Sequence, residues 1–481
     1  MRRTFLSNLS LILILNLLIK PVYLLGIEAE VQNRVGPEVF GSYSALISLS
    51  FLLNILLDLG ITNYNTRNIA RNQQLVHNHF SGVVLLRLIL GLFYMVVLTS
   101  AGWMLGYSSS FLLLLAMLGF NQFLAASILY LRSNLTGLML FKRDAVLSIL
   151  DRGLLVIGLG YVLLTMNQSS DFKIEWLVFG QTIAYGATLV VGFIFLMRHT
   201  GKLKLSWNLA FYRTILKQSF PYALLVLLMM GSYKTDSVML ERMLPNGDYH
   251  AGIYAMGYRF FEASNMIGFL FAGLLLPIFS RLIKTQKSLD PVISSAFQLL
   301  FSGGVILVVT CLLFGEQVLG LIYREYVTEA LLPFYLLMCA FFFVCMTYIF
   351  GTLLTANGNM RTLNIMASIG FVLNITLNYL LIDLYFATGS AIASLITQGL
   401  VSTIQIYLAM KYTKLRFSGK TLRGMLLFSI WISGLAYLCT IINWSWKLEI
   451  VCFILLSFVG AFVSGFVHKQ QFKELLTRVS D

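Results

Sequence analysis

The chain has 481 residues, of which 58% are apolar and only 11% charged. That much apolar surface exceeds what a single soluble core can cover, so much of it must face lipid, and a water-soluble globular protein is excluded. The net charge of +14 does not call for nucleic acid, because the basic residues fall where membrane topology and anionic headgroups want them.

A spanning helix needs roughly 20 predominantly apolar residues. In chain order such stretches lie near 5–27, 39–62, 81–106, 111–131, 146–166 and 175–197, then near 219–240, 251–277, 292–314, 330–355, 362–382, 389–410, 424–443 and 449–467. The expected fold class is therefore an all-α polytopic membrane protein with about 14 transmembrane helices. Arg2 and Arg3 before the first apolar run resemble the start of a signal peptide, but the run is long and lacks a small-residue cleavage site, so it is read as the first span.

Lys and Arg test this count, since they collect in cytoplasmic loops. With the N-terminus inside, about 24 basic residues fall in cytoplasmic turns and about 5 in outer ones. The cytoplasmic turns hold, for example, Arg67 and Arg71, then Arg132, Lys142 and Arg143, and later Arg281, Lys284 and Lys287. Both termini are expected in the cytoplasm. The five cysteines fall inside spans without metal-ligand spacing, and the five histidines are placed in loops or tails, so no metal or cofactor is expected. No loop is long enough for a soluble catalytic domain, and no phosphate-binding glycine loop is present, so the chain is not read as an enzyme or an ATPase.

An internal repeat divides the chain. Glu30, Gly36, Gly41 and Tyr43 each meet an identical residue 211 positions later, at Glu241, Gly247, Gly252 and Tyr254. Six spans precede the second copy, an even number, so the copies enter the membrane in the same direction and the repeat is parallel. The expected organisation is an N-lobe over 1–197, a basic connector over 198–217, a C-lobe over 218–410, and an accessory helix pair with a tail over 411–481.

Ionisable groups inside spans are costly and mark function or internal pairing. Arg87 and Arg152 lie about two turns from cytoplasmic helix ends, where a long side chain reaches the headgroups. Lys20, Lys234 and Arg259 are deeper. Lys20 falls opposite Gly231 under the repeat, so Lys234 is one turn from its counterpart and each lobe carries a cation on its first helix. These three are the candidate contacts for an anionic headgroup. The competing reading is structural pairing, of Lys234 with Asp236 and of Arg259 with Glu262. Asp236 and Glu262 are the deeper candidates for cation coupling or gating, while Asp58 is expected to pair with Arg67 or Arg71 at the surface. Pro21, directly after Lys20, is expected to kink the first span.

Several stretches together resemble a known family. They are VGPEVFGSYSAL (35–46), DLGI (58–61), KTDSVML (234–240), AGIYAMGYRFFE (251–262), LLTANGNMR (353–361), LNITLNYLLI (373–382) and GSAIASLITQ (389–398). Their order is similar to that of the Wzx-type polysaccharide and O-antigen flippases of the multidrug/oligosaccharidyl-lipid/polysaccharide (MOP) superfamily. The resemblance implies two six-helix lobes around a central cavity in a bacterial cytoplasmic membrane. It also implies a polyprenyl-pyrophosphate-linked glycan as substrate for lipopolysaccharide or other surface glycan. Membrane lipids and a coupling cation, H⁺ or Na⁺, are the other expected partners. A cation-coupled multidrug exporter of the same fold is the alternative, although cationic drugs suit an acidic cavity better than a basic one.

The topology carries its own test. A fluorescent protein fused after Asp481 should fluoresce, and alkaline phosphatase at the same place should be inactive; active phosphatase there would invert the orientation.

Overall fold

The computed structural model describes residues 15–62, 65, 75–138, 140–166, 172–200, 209–413, 419–441 and 444–467. The start and end of the chain, part of the basic connector (201–208), and Arg67 and Arg71 lie outside these residues. Twelve helices among the described residues are long and apolar enough to cross a membrane. They are α1 (Leu15–Asp58), α2 (Gly82–Met104, within the helix Leu75–Met104), α3 (Ser109–Gly137), α4 (Lys142–Thr165), α5 (Ile174–Met197) and α6 (Ala223–Met243, within Leu209–Met243). The remainder are α7 (Gly247–Lys284), α8 (Asp290–Leu313), α9 (Val327–Ala356), α10 (Met360–Thr413), α11 (Gly419–Ile441) and α12 (Trp446–Val463).

Two of the twelve are too long for one crossing. The 44 residues of α1 extend about 66 Å and the 54 of α10 about 81 Å at ~1.5 Å per residue, against a hydrocarbon layer of about 30 Å. Each contains one residue with non-helical φ and ψ. In α1 the break is Gly36, with φ 81° and ψ 167°, a region only glycine occupies without strain. In α10 it is Phe386, with φ 53° and ψ −131°. Counting each as two crossings brings twelve helices to the fourteen spans read from the sequence. Helices also continue beyond their apolar windows: His250 lies in the first turn of α7, and His77, His79 and His199 also fall on helices, not in loops.

The chain forms two compact units, one through Ala255 and one from Met256. In the first, the two copies of the repeat meet. A Cβ added to Gly41 would lie 1.8 Å from the Asp248 carbonyl oxygen, and one added to Gly252 would lie 2.0 Å from that of Pro37. Asp248 and Gly252 stand 211 positions after Pro37 and Gly41, so the contact is reciprocal, as across a two-fold axis. Only glycine at both positions lets the backbones approach this closely. The Gln32 side-chain amide donates to the Gly252 carbonyl at 2.9 Å, closing the same crossing.

The repeated glutamates act alike. Glu30 pairs with Arg34 at 3.2 Å, and Arg34 donates to the Leu163 carbonyl at 2.6 Å, in the last turn of α4. Glu241 pairs with Arg242 at 2.6 Å, and Arg242 donates to the Leu105 carbonyl at 3.1 Å, just past α2. Each copy thus directs an arginine onto carbonyls that a helix terminus leaves without intrahelical partners. Tyr107, in the turn after α2, donates to Glu241 at 2.9 Å and lies under the Arg242 guanidinium, 3.4 Å from ring centroid to Cζ. Burial, reinforced by the Glu241 charge, raises its phenol above the ordinary range and keeps it a donor.

In the second unit, α11 and α12 pack on one another through Gly460, where a Cβ would lie 2.1 Å from the Trp431 ring, and through a 3.0 Å bond from Trp431 to the Leu456 carbonyl. Phe466 stacks on Phe428 and meets Phe297 and Phe301 of α8 edge-on. Most of the apolar surface of this pair stays exposed, as expected of helices that face lipid.

Substituting Gly41 or Gly252 by Val should lower the melting temperature of the purified protein by several degrees, through backbone overlap. Gly153→Ala, whose Cβ meets nothing within 4 Å, should leave it within a degree or so. Equal melting temperatures for all three variants would mean that the crossing does not support the fold.

Candidate functional site

Lys20 lies in α1 one residue before Pro21, and Pro21 is followed by a π-helical stretch over Val22–Glu28. A proline has no N–H to give to the preceding turn and its ring crowds that turn, so the wider π geometry takes up the mismatch. The sharp kink expected there is instead a change of helical winding. Lys20 is half-buried and makes no hydrogen bond or ion pair among the described residues. Arg132, Arg152 and Asp151 stand within its electrostatic range.

Arg152 departs from its expected place. It does not reach for the headgroups; its guanidinium lies 4.7 Å from the Tyr23 ring centroid and 5.3 Å from that of Tyr185, and it donates to the Tyr185 hydroxyl. The rings are fixed in turn, since Gln181 donates to the hydroxyls of Tyr23 at 3.1 Å and Tyr43 at 2.9 Å. Arg132 is committed to Asp144 at 2.6 Å. Asn16, one turn before Lys20, donates to Ser148, one turn before Arg152, at 2.9 Å, so the first unit brings Lys20 and the tyrosine-flanked Arg152 to one level of the contact between α1 and α4.

Arg87 also corrects its expectation, being only 4% exposed and turned inward. It pairs with Asp58, bonds Thr62, donates to the Ala126 carbonyl at 2.8 Å and lies 4.7 Å from the Tyr130 ring centroid. Asp58 is thus held by Arg87 and Thr62, while Arg67 and Arg71, its expected partners, lie outside the described residues. Leu59 and Gly60, both at positive φ, turn the chain directly after Asp58 and bring Gly60 against the Ser219 backbone. Sequence reasoning placed both arginines by their distance from a helix end, and what overrode that rule was a partner on another helix in each case.

Of the other candidates, Lys234 lies in α6 with Nζ 5.2 Å from the Phe51 ring centroid. Asp236, two residues on and fully buried, accepts a 2.7 Å bond from Tyr254, the repeat partner of Tyr43. Arg259 belongs to the second unit, is 3% exposed and donates to the Tyr323 hydroxyl at 2.6 Å. Glu262 lies one turn further along α7 and is half-buried. The structure brings Lys20 to the level of Arg152, a pairing the sequence did not display, because residues 20 and 152 sit on different helices.

These features define a multi-pass membrane protein whose first unit holds buried tyrosines against the Arg152 guanidinium. Comparison with solved structures gives its fold, one shared with membrane transporters and a flippase. The chain is similar to the lipid II flippase MurJ in an inward closed conformation, with TM-score 0.68 and 13% identity over 96% of this chain and 98% of that one. It is similar to an inward-facing multidrug resistance MATE family transporter, with TM-score 0.65 and 14% identity over 82% of this chain and 94% of that one. A MOP superfamily transporter from Pyrococcus furiosus, described as having a binding pocket of reverse polarity, gives TM-score 0.58 and 16% identity over 86% and 96% of the two chains. No curated protein matches the sequence. Residues 5–283 match the family described as polysaccharide biosynthesis protein, and the chain belongs to that family.

Removing one partner of the inward ion pair should be more damaging than removing both. Arg87→Ala should destabilise the protein by about 3–5 kcal/mol because it strands the Asp58 carboxylate. Arg87→Met with Asp58→Ala should recover part of that loss in a thermal melt. A double variant no more stable than Arg87→Ala would show that the pairing contributes nothing separable.

Proposed function

We propose that this protein is a flippase. It moves polyprenyl-pyrophosphate-linked oligosaccharide units from the cytoplasmic to the outer face of a bacterial cytoplasmic membrane, for O-antigen, lipopolysaccharide or related surface glycan. The observation that carries this reading is Lys20, an ammonium within an apolar span that has neither hydrogen bond nor ion pair among the described residues. Leaving such a group unpartnered is costly, and a cargo that brings its own phosphates removes the cost. The apolar chain of such a cargo stays in lipid while its charged head crosses the protein.

Membership of the polysaccharide biosynthesis family supports a glycan cargo. A fold shared with a protein named as a lipid II flippase supports a lipid-linked one. Lys234 and Arg259 are the further headgroup contacts in this reading. Asp236 and Glu262 are its candidates for coupling to H⁺ or Na⁺, and the π-helical stretch after Pro21 is a segment able to change winding as the lobes rock between inward and outward access. Asp58 has a structural role here, given its bond to Arg87.

Deleting the gene in its host should cause polyprenyl-pyrophosphate glycans to accumulate and surface glycan to disappear. Wild-type protein should restore the glycan, and Lys20→Ala at equal membrane abundance should not. Intact surface glycan together with new sensitivity to toxic cations would overturn the proposal in favour of a multidrug exporter.

A further inference from the structure

We infer that Arg152, together with Lys20, makes the site specific for a diphosphate over a monophosphate headgroup. This deepens the flippase reading and rests on it.

The argument begins with the chemistry of the guanidinium. It is planar, permanently charged and carries five N–H donors, so one oriented group can hold two phosphate oxygens at once. Tyr23 and Tyr185 orient the Arg152 plane, at 4.7 and 5.3 Å from their centroids, and one nitrogen is used on the Tyr185 hydroxyl. Its side chain makes no other hydrogen bond and no ion pair among the described residues. Arg152 is half-buried, and none of its unused nitrogens is sealed within the core.

Nearby carboxylates do not occupy it. Asp151 accepts the backbone N–H of Arg152 at 2.8 Å, and Glu28 acts on the guanidinium only at longer range. These two acids make the cations tolerable in a low-dielectric interior while leaving their donors open. Arg132 is already taken by Asp144. Two cations therefore remain at one level of the contact between α1 and α4, fixed by the 2.9 Å bond from Asn16 to Ser148 one turn earlier on each helix: a point charge on Lys20 and an oriented fork on Arg152. A monophosphate satisfies one of them; a diphosphate has a phosphoryl group for each. The preference then arises from a donor left unpaired by the wrong headgroup.

The test uses the full-length protein in lipid nanodiscs and competition against a labelled polyprenyl diphosphate. Competitors are polyprenyl diphosphate, polyprenyl monophosphate and uncharged polyprenol of one chain length. Wild type should prefer diphosphate over monophosphate by about tenfold or more. Arg152→Gln should bind the two alike, at close to the wild-type monophosphate affinity, and Arg152→Lys should regain part of the preference. Should Arg152→Gln fail to fold, Tyr185→Phe, which frees the guanidinium from its hydroxyl partner, should also weaken the preference. A preference unchanged in the folded variants overturns the role of Arg152 while leaving the flippase reading standing. Failure of wild type to distinguish either phosphate from polyprenol overturns both.

Discussion

Hydrocarbon offers no hydrogen bonds, and every other feature of this protein follows from that constraint. Each backbone N–H and C=O in a span must be satisfied within its own helix, which leaves long helices as the structure available to such apolar segments. Departures from helix are consequently few and each has a local cause. Gly36 permits a backbone conformation closed to other residues, Phe386 divides a helix too long for one crossing, and Pro21 is absorbed by π-helical winding.

Between helices, lipid removes most of the hydrophobic drive, so close approach and polar contact must hold them together. The reciprocal crossing of Gly41 on Asp248 and Gly252 on Pro37 supplies the first, and the arginines fixed by Glu30 and Glu241 supply the second. The two glycines and the two glutamates lie at matched places in the repeat, which is where the identities between copies concentrate. Elsewhere the copies need only be apolar, and their sequences have diverged.

The same solvent sorts the charges. A cation in a span is accommodated by an inward partner, by aromatic rings or by a ligand. Arg87 has the first in Asp58 and Arg152 the second in Tyr23 and Tyr185, and the third is the place proposed for Lys20.

The sequence alone determined the class of this protein. Apolar length, the sidedness of Lys and Arg, and the 211-residue repeat depend on local composition and are written along the chain. The spans and the family resemblance were legible for that reason. The partners of the charges were not. Whether Arg87 turns to headgroups or to Asp58, and whether Arg152 reaches water or lies between two tyrosines, depends on which helices pack together. Residues 58 and 87, or 23, 152 and 185, become neighbours only in three dimensions. Tertiary structure decided these contacts because the direction of a side chain around its helix is fixed by packing against other helices, which distance from a helix end does not report.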